Sequence, residues 1–152
     1  MKRKHFLVVL IMLAAVCGFM FANQGTANAE GFAVLIKISP VGGQTILGMH
    51  IEPSTAYIKT GDAVVWLNEV VSGMKAKPEI SIEFADGKKC KSAVYAEQPY
   101  FNLDEARQCF VTTWMPYGTT SSLEFINAGT YEYTVKVKDA GEVVANGKIV
   151  VE

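Results

Sequence analysis

The closing stretch GTYEYTVKVKDAGEVVANGKIVVE (Gly129–Glu152) decides the fold class. Tyr131, Tyr133, Val135 and Val137 alternate with Glu132, Thr134, Lys136 and Lys138. A period of two turns alternate side chains to opposite faces of a strand, so the aromatic and aliphatic set faces a core and the polar set faces water. Asp139-Ala140-Gly141 is a turn signal, and Glu142–Val151 reads as a second strand. The stretch therefore predicts a hairpin with a short loop.

The same grammar runs upstream. Short runs rich in Val, Ile, Thr, Tyr and Phe are separated by Gly, Pro and Asn, which predicts an all-β sandwich or barrel. Strands are expected near Phe32–Ile38, Thr45–Glu52, Ala56–Lys59, Ala63–Leu67, Glu79–Phe84, Cys109–Trp114, Ser121–Ile126 and Thr130–Lys138, with the closing strand after them. Ile80, Ile82 and Phe84 alternate with Ser81 and Glu83, again one apolar face and one polar face.

One segment breaks the pattern. DGKKCKSAVYAEQPYFNLDEARQC (Asp86–Cys109) is too long and polar for a simple hairpin connection. Within it, Asn102 followed three residues later by Glu105 predicts a capped start for one or two helical turns. The insertion is expected to be either a functional flap or a structural plug.

The N-terminus carries a different signal. Lys2, Arg3 and Lys4 precede an apolar run from Phe6 to Val16, and Ala27-Asn28-Ala29 supplies a small-residue cleavage site. That order predicts a signal peptide over residues 1–29 and export to the periplasm or the exterior. The run is shorter than the roughly 20 residues that span a bilayer. A lipoprotein cut before Cys17 is the competing reading, and Val16 is large for the position it requires. Residues 30–152 are then one domain, since 123 residues suffice for one core and not for two.

Removing the leader leaves eleven Lys and Arg against fifteen Asp and Glu, a net charge of −4. No basic run remains that would neutralise a phosphate backbone, which excludes nucleic acid as the expected partner. Cys90 and Cys109 remain as an even pair in an oxidising compartment, so a disulfide is expected. A thiolate metal site is the alternative, and it usually needs more His or Cys than this chain holds.

Two blocks resemble the cupredoxins, the family of plastocyanin and azurin. In IEPSTAYIKTGDAVVWLNEV (Ile51–Val70), Pro53, Ile58, Lys59, Gly61, Asp62, Val64, Trp66 and Asn68 match the family's run. In GTTSSLEFINAGTYEYTV (Gly118–Val135), Gly118, Ser121, Phe125, Gly129, Thr130, Tyr131 and Tyr133 match a second. The resemblance, which leaves out residues 85–109, implies a Greek-key β-sandwich of cupredoxin type; the disulfide-tethered insertion with its short helix is expected as an addition to it. Gly61 and Asp62 are expected to turn the chain, and Trp66 and Tyr131 to supply large inward rings.

The resemblance also implies a copper centre built from two His, one Cys and an axial Met. Here NEVVSGMKAKPE (Asn68–Glu79) holds no His, and the positions of the Cys, second His and Met fall at Val135, Lys138 and near Ala145. A conventional centre therefore cannot be assembled, and no cofactor is expected. Met74, Met115 and His50 are candidates for a nonstandard soft-metal site, with copper as the alternative cofactor. Met74 and Met115 read otherwise as gap fillers at the sandwich end.

No Ser, Cys and His arrangement suits nucleophilic catalysis, so an enzyme is not expected. Tyr95, Tyr100, Phe101, Trp114 and Tyr117 are candidate contacts for a protein partner in the cell envelope, or else a small secondary core. A monomeric binding or interaction module is the reading that follows. A periplasmic copper-binding or electron-transfer protein with nonstandard ligands is its alternative.

Overall fold

The computed structural model describes residues 31–42, 45–85, 90–91, 93–97, 99–139 and 143–152. The expected signal peptide, with Cys17, lies outside the described residues. Among the described residues, eleven strands form two facing sheets. The first sheet contains β1 (Ala33–Gly42), β2 (Ile46–Glu52), β4 (Ala63–Asn68), β6 (Val94–Glu97) and β9 (Thr120–Phe125), in the spatial order β2-β1-β4-β9-β6. The second contains β3 (Thr55–Ile58), β5 (Ile80–Phe84), β7 (Phe101–Asp104), β8 (Cys109–Thr112), β10 (Gly129–Val137) and β11 (Val143–Val151), in the order β3-β11-β10-β5-β8-β7. The chain passes repeatedly from one sheet to the other, as in a Greek-key sandwich.

The nine strands expected from alternation are present with boundaries shifted by a few residues. The closing hairpin pairs Tyr133 with Gly147 and Val135 with Ala145, with a register shift between Val135 and Lys136. Tyr131, Tyr133, Val135 and Val137 are buried, and Glu132 and Lys138 are exposed. Residues 140–142 of the expected turn lie outside the described residues. The Cys109 strand ends at Thr112 and not at Trp114. Beyond it only Met115 rejoins the sheet, through an isolated bridge to Ile80.

The core is organised around Trp66, whose ring meets Phe84, Phe101 and Tyr133 edge-on at centroid distances of 6.0, 5.4 and 5.6 Å. Edge-to-face packing sets the positive rim of one ring against the negative face of the next, worth about 0.5–1.5 kcal/mol per pair beyond area burial. Phe125 and Tyr131 form a further pair at 5.0 Å. The Tyr131 hydroxyl donates to the Asn127 carbonyl at 3.0 Å, locking the entry to β10. At the other turn, Gly61 has φ +92°, and Asp62 accepts the Lys59 and Phe32 amides at 2.8 and 2.9 Å. The turn expected at Gly61-Asp62 is therefore built from that carboxylate and a left-handed glycine.

The insertion corrects the expected helix. Among the described residues there is no helix, and Asn102 lies within strand β7 with its amide donating to the Tyr100 carbonyl at 3.1 Å. Asp104 does the capping instead, accepting the amides of Ala106 and Arg107 at 2.9 and 3.2 Å. The turn then closes through Gln108 at φ +56° and runs directly into β8. An acidic residue that satisfies two following amides serves a turn as well as a helix start. Pairing between β7 and β8 wins here, because Asp104 already faces Cys109 across the ladder.

Candidate functional site

The positions that the resemblance assigns to copper are occupied by structural side chains. Val135 is fully buried and stands opposite Ile82 on one side and Ala145 on the other. Lys138 donates to Glu79 Oε2 at 2.8 Å, and that partner raises its pKa above the ordinary lysine value. Asn68, after which the first His would come, is buried. Its amide nitrogen donates to the Pro78 and Met115 carbonyls at 2.8 and 3.1 Å, tying the loop after β4 to the loop before β9. A hydrophobic valine, a paired ammonium and an amide committed to the backbone offer copper no soft donor.

The nonstandard candidates lie in different settings. His50 is exposed on edge strand β2, opposite Ser39. Met115 is fully buried and fills the core, while Met74 is half-buried in the loop after β4. Among the described residues no group of three or more His, Cys, Asp or Glu gathers as metal ligands would.

The aromatic candidates divide. Phe101 is buried against Trp66 and belongs to the core, which removes it from any contact surface. Tyr100 is half-buried beside it. Tyr95 stands on β6 opposite Glu124, and its side chain lies outside the described residues. Tyr117 is also half-buried: its hydroxyl accepts from the Val71 amide and donates to the Val71 carbonyl at 3.3 Å. Trp114 is 41% exposed at the same end of the sandwich, where Val70 is 64% exposed.

Cys90 and Cys109 form a disulfide with a Cα–Cα distance of 4.7 Å, and both residues are buried. The insertion adds β6 to the edge of one sheet and β7 to the edge of the other, and it inserts Phe101 between them. That arrangement is a plug closing one side of the sandwich.

The outer face of the second sheet carries two contrasting polar regions. In the first, Glu83 Oε2 accepts Arg107 Nη1 at 2.6 Å and Lys136 Nζ at 2.8 Å, and Arg107 Nε also reaches Asp104 at 3.3 Å. Burial works to raise the Glu83 pKa, but the hydrogen bonds and charges of Lys136 and Arg107 outweigh it and hold the carboxyl below its ordinary value. In the second, Ser54, Thr55, Glu132, Thr134, Asn146 and Lys148 surround an open groove of about 510 Å³. The sequence reading missed this groove. Alternation marked Glu132 and Thr134 as outward-facing, but the parallel pairing of β3 with β11 that completes the groove joins distant segments.

Beneath the groove, the core pairing of Tyr133 with Gly147 is tight. A Cβ on Gly147 would stand 2.2 Å from the Tyr133 ring carbon Cζ and hydroxyl. Burial pushes the Tyr133 hydroxyl up to about 12, an effect offset only in part by the Trp66 indole, whose N–H faces it without reaching full hydrogen-bond geometry.

No family model matches the sequence, and no curated protein matches it. Solved structures of amicyanin do. A variant in the Cu(I) form is 21% identical, with a TM-score of 0.47 over 79% of this chain and 82% of that one. A reduced variant is 20% identical, with a TM-score of 0.44 over 82% and 85%. An oxidised variant is also 20% identical, with a TM-score of 0.45 over 79% and 82%.

Proposed function

We propose that this chain is an exported cupredoxin-like interaction module without a conventional copper centre, acting as a monomer on a protein partner in the cell envelope. The observation that carries it is the use of Val135 and Lys138: one completes the core, and the other is ion-paired to Glu79. A position spent on packing or on a salt bridge is not free to ligate. The exposed Trp114 and Val70 at the same end supply contact area of the kind that anchors protein interfaces, with Tyr117 clamping the supporting loops. On this reading the chain acts by binding and not as an enzyme.

The test is metal retention. Purified protein is exposed to Cu(I) and to Cu(II), desalted, and its bound copper measured. Less than stoichiometric copper and no charge-transfer colour are expected. Stoichiometric copper that survives desalting would overturn the reading, and its loss on changing Met74 and Met115 together would identify thioether ligation instead.

A further inference from the structure

We propose that the groove on the outer face of the second sheet, together with Tyr57, is a binding site for a neutral saccharide. Thr55 and Tyr57 are two residues apart on β3, so both project from the outer face while Ala56 and Ile58 are buried beneath. Thr55 borders the groove, which places the Tyr57 ring beside it, about 7 Å along the strand. Tyr57 is 70% exposed and makes no ring contact or hydrogen bond among the described residues.

Among the described residues most of the side-chain donors and acceptors around the groove are uncommitted, unlike those a few residues away. Lys136 and Lys138 are each ion-paired across β5, to Glu83 and Glu79. Glu132 and Lys148 stand at one register on β10 and β11, yet among the described residues neither side chain has an ion pair or hydrogen bond. Thr134 donates its hydroxyl to Asn146 Oδ1 at 3.0 Å, which fixes the amide and turns its nitrogen donors outward. The hydroxyls of Ser54 and Thr55 are likewise open.

These features select a ligand class. The volume lies within the range of roughly 300–1,000 Å³ typical of small-ligand clefts, but about half of the lining is polar, where such clefts are mostly apolar. A lipophilic ligand would desolvate those groups and leave them unpaired, which disfavours it. An anionic ligand would meet Glu132, and a cationic one would meet Lys148. A pyranose suits both parts of the site: its hydroxyls alternate as donors and acceptors, and its axial C–H face fits the electron-rich face of an aromatic ring. The open ends of the groove suit a chain over a single enclosed sugar.

Affinity electrophoresis of the purified protein tests the assignment, in gels carrying a mixed-linkage β-glucan, a galactomannan, a xylan or the anionic polygalacturonate. At least one neutral polysaccharide is expected to retard the protein. Tyr57→Ala should weaken that retardation about tenfold, the scale of one lost stacking contact. Tyr57→Phe should preserve it, and Asn146→Ala should weaken it with no change in melting temperature. Lys136→Ala, in the ion-paired region, should retain wild-type binding. The proposal is overturned if no neutral polysaccharide retards the protein, if polygalacturonate alone does, or if Tyr57→Ala and Asn146→Ala both migrate as wild type. The copper experiment does not bear on this face, so the two readings fail independently.

Discussion

The closing hairpin and the insertion both complete the core, and they are held in opposite ways. Strands β10 and β11 pair from Gly129 with Val151 to Lys136 with Val143, and their inward residues follow one another at every second position. The insertion supplies two strands of four residues each, β6 at the edge of one sheet and β7 at the edge of the other. Repeated local alternation holds the first, whereas a cross-link, one aromatic anchor and a charged cluster hold the second. Point changes should therefore act more severely on the insertion wherever they remove one of its few anchors.

The largest effect is expected at Phe101. Its ring meets both Trp66 and Phe84, and its removal leaves a cavity bounded by rigid aromatic neighbours. Phe101→Ala should cost about 3–5 kcal/mol in urea unfolding. A loss under about 1 kcal/mol would mean that the insertion does not anchor in the core, and the plug description would fail.

Next comes the cross-link. Cys90→Ser with Cys109→Ser should cost about 3 kcal/mol, because the 19-residue separation leaves a loop whose closure entropy the disulfide removes from the unfolded chain. Amide exchange sharpens the comparison. Protection in β7 and β8 should fall well below that of β10 and β11 in the double variant, whereas equal loss throughout would show that the insertion opens only with the whole domain.

This contrast also explains what could be read from sequence. The nine strands with a period of two were legible because burial on one face imposes a pattern on neighbouring residues. β6 and β7 were not, because four-residue edge strands around Pro99 carry too little alternation to announce themselves. Asn102 and Glu105 suggested a helix because the same residues that cap helices also make turns, and only the partner strand distinguishes the two. The cysteine pair was legible from compartment chemistry. The roles of Phe101 and Tyr57 were not, since composition is silent on which ring is buried and which faces water.

The hairpin has one point of its own that is as brittle as the insertion. Gly147→Ala would drive a methyl group into the buried Tyr133 ring, which Trp66 and Phe84 hold in place. A loss of about 1–3 kcal/mol is expected from such overpacking. Combining it with Tyr133→Leu should recover part of that loss, since the clash is with the ring and hydroxyl. Additive losses in the double variant would place the strain in the backbone of β11 instead.

The smallest effect, and the one that joins the two regions, lies at Glu83. Its carboxylate on β5 takes one hydrogen bond from Lys136 of the hairpin and another from Arg107 of the insertion. Its folded pKa is depressed, so the group binds its proton more readily when unfolded, near the ordinary value of about 4.3. Its contribution is thus present in full above that pH and is lost as pH falls through the lower folded value. The side chains are partly exposed, at 18% for Glu83 and 36% for both partners, so solvent screening keeps the contribution near or below about 1 kcal/mol. Urea midpoints of the wild type should fall more steeply below about pH 4.5 than those of Glu83→Gln, and the two should converge in acid. Parallel curves would show that the shared carboxylate does not couple the insertion to the hairpin, leaving the disulfide, Phe101 and the pairing of β6 with β9 to hold the insertion.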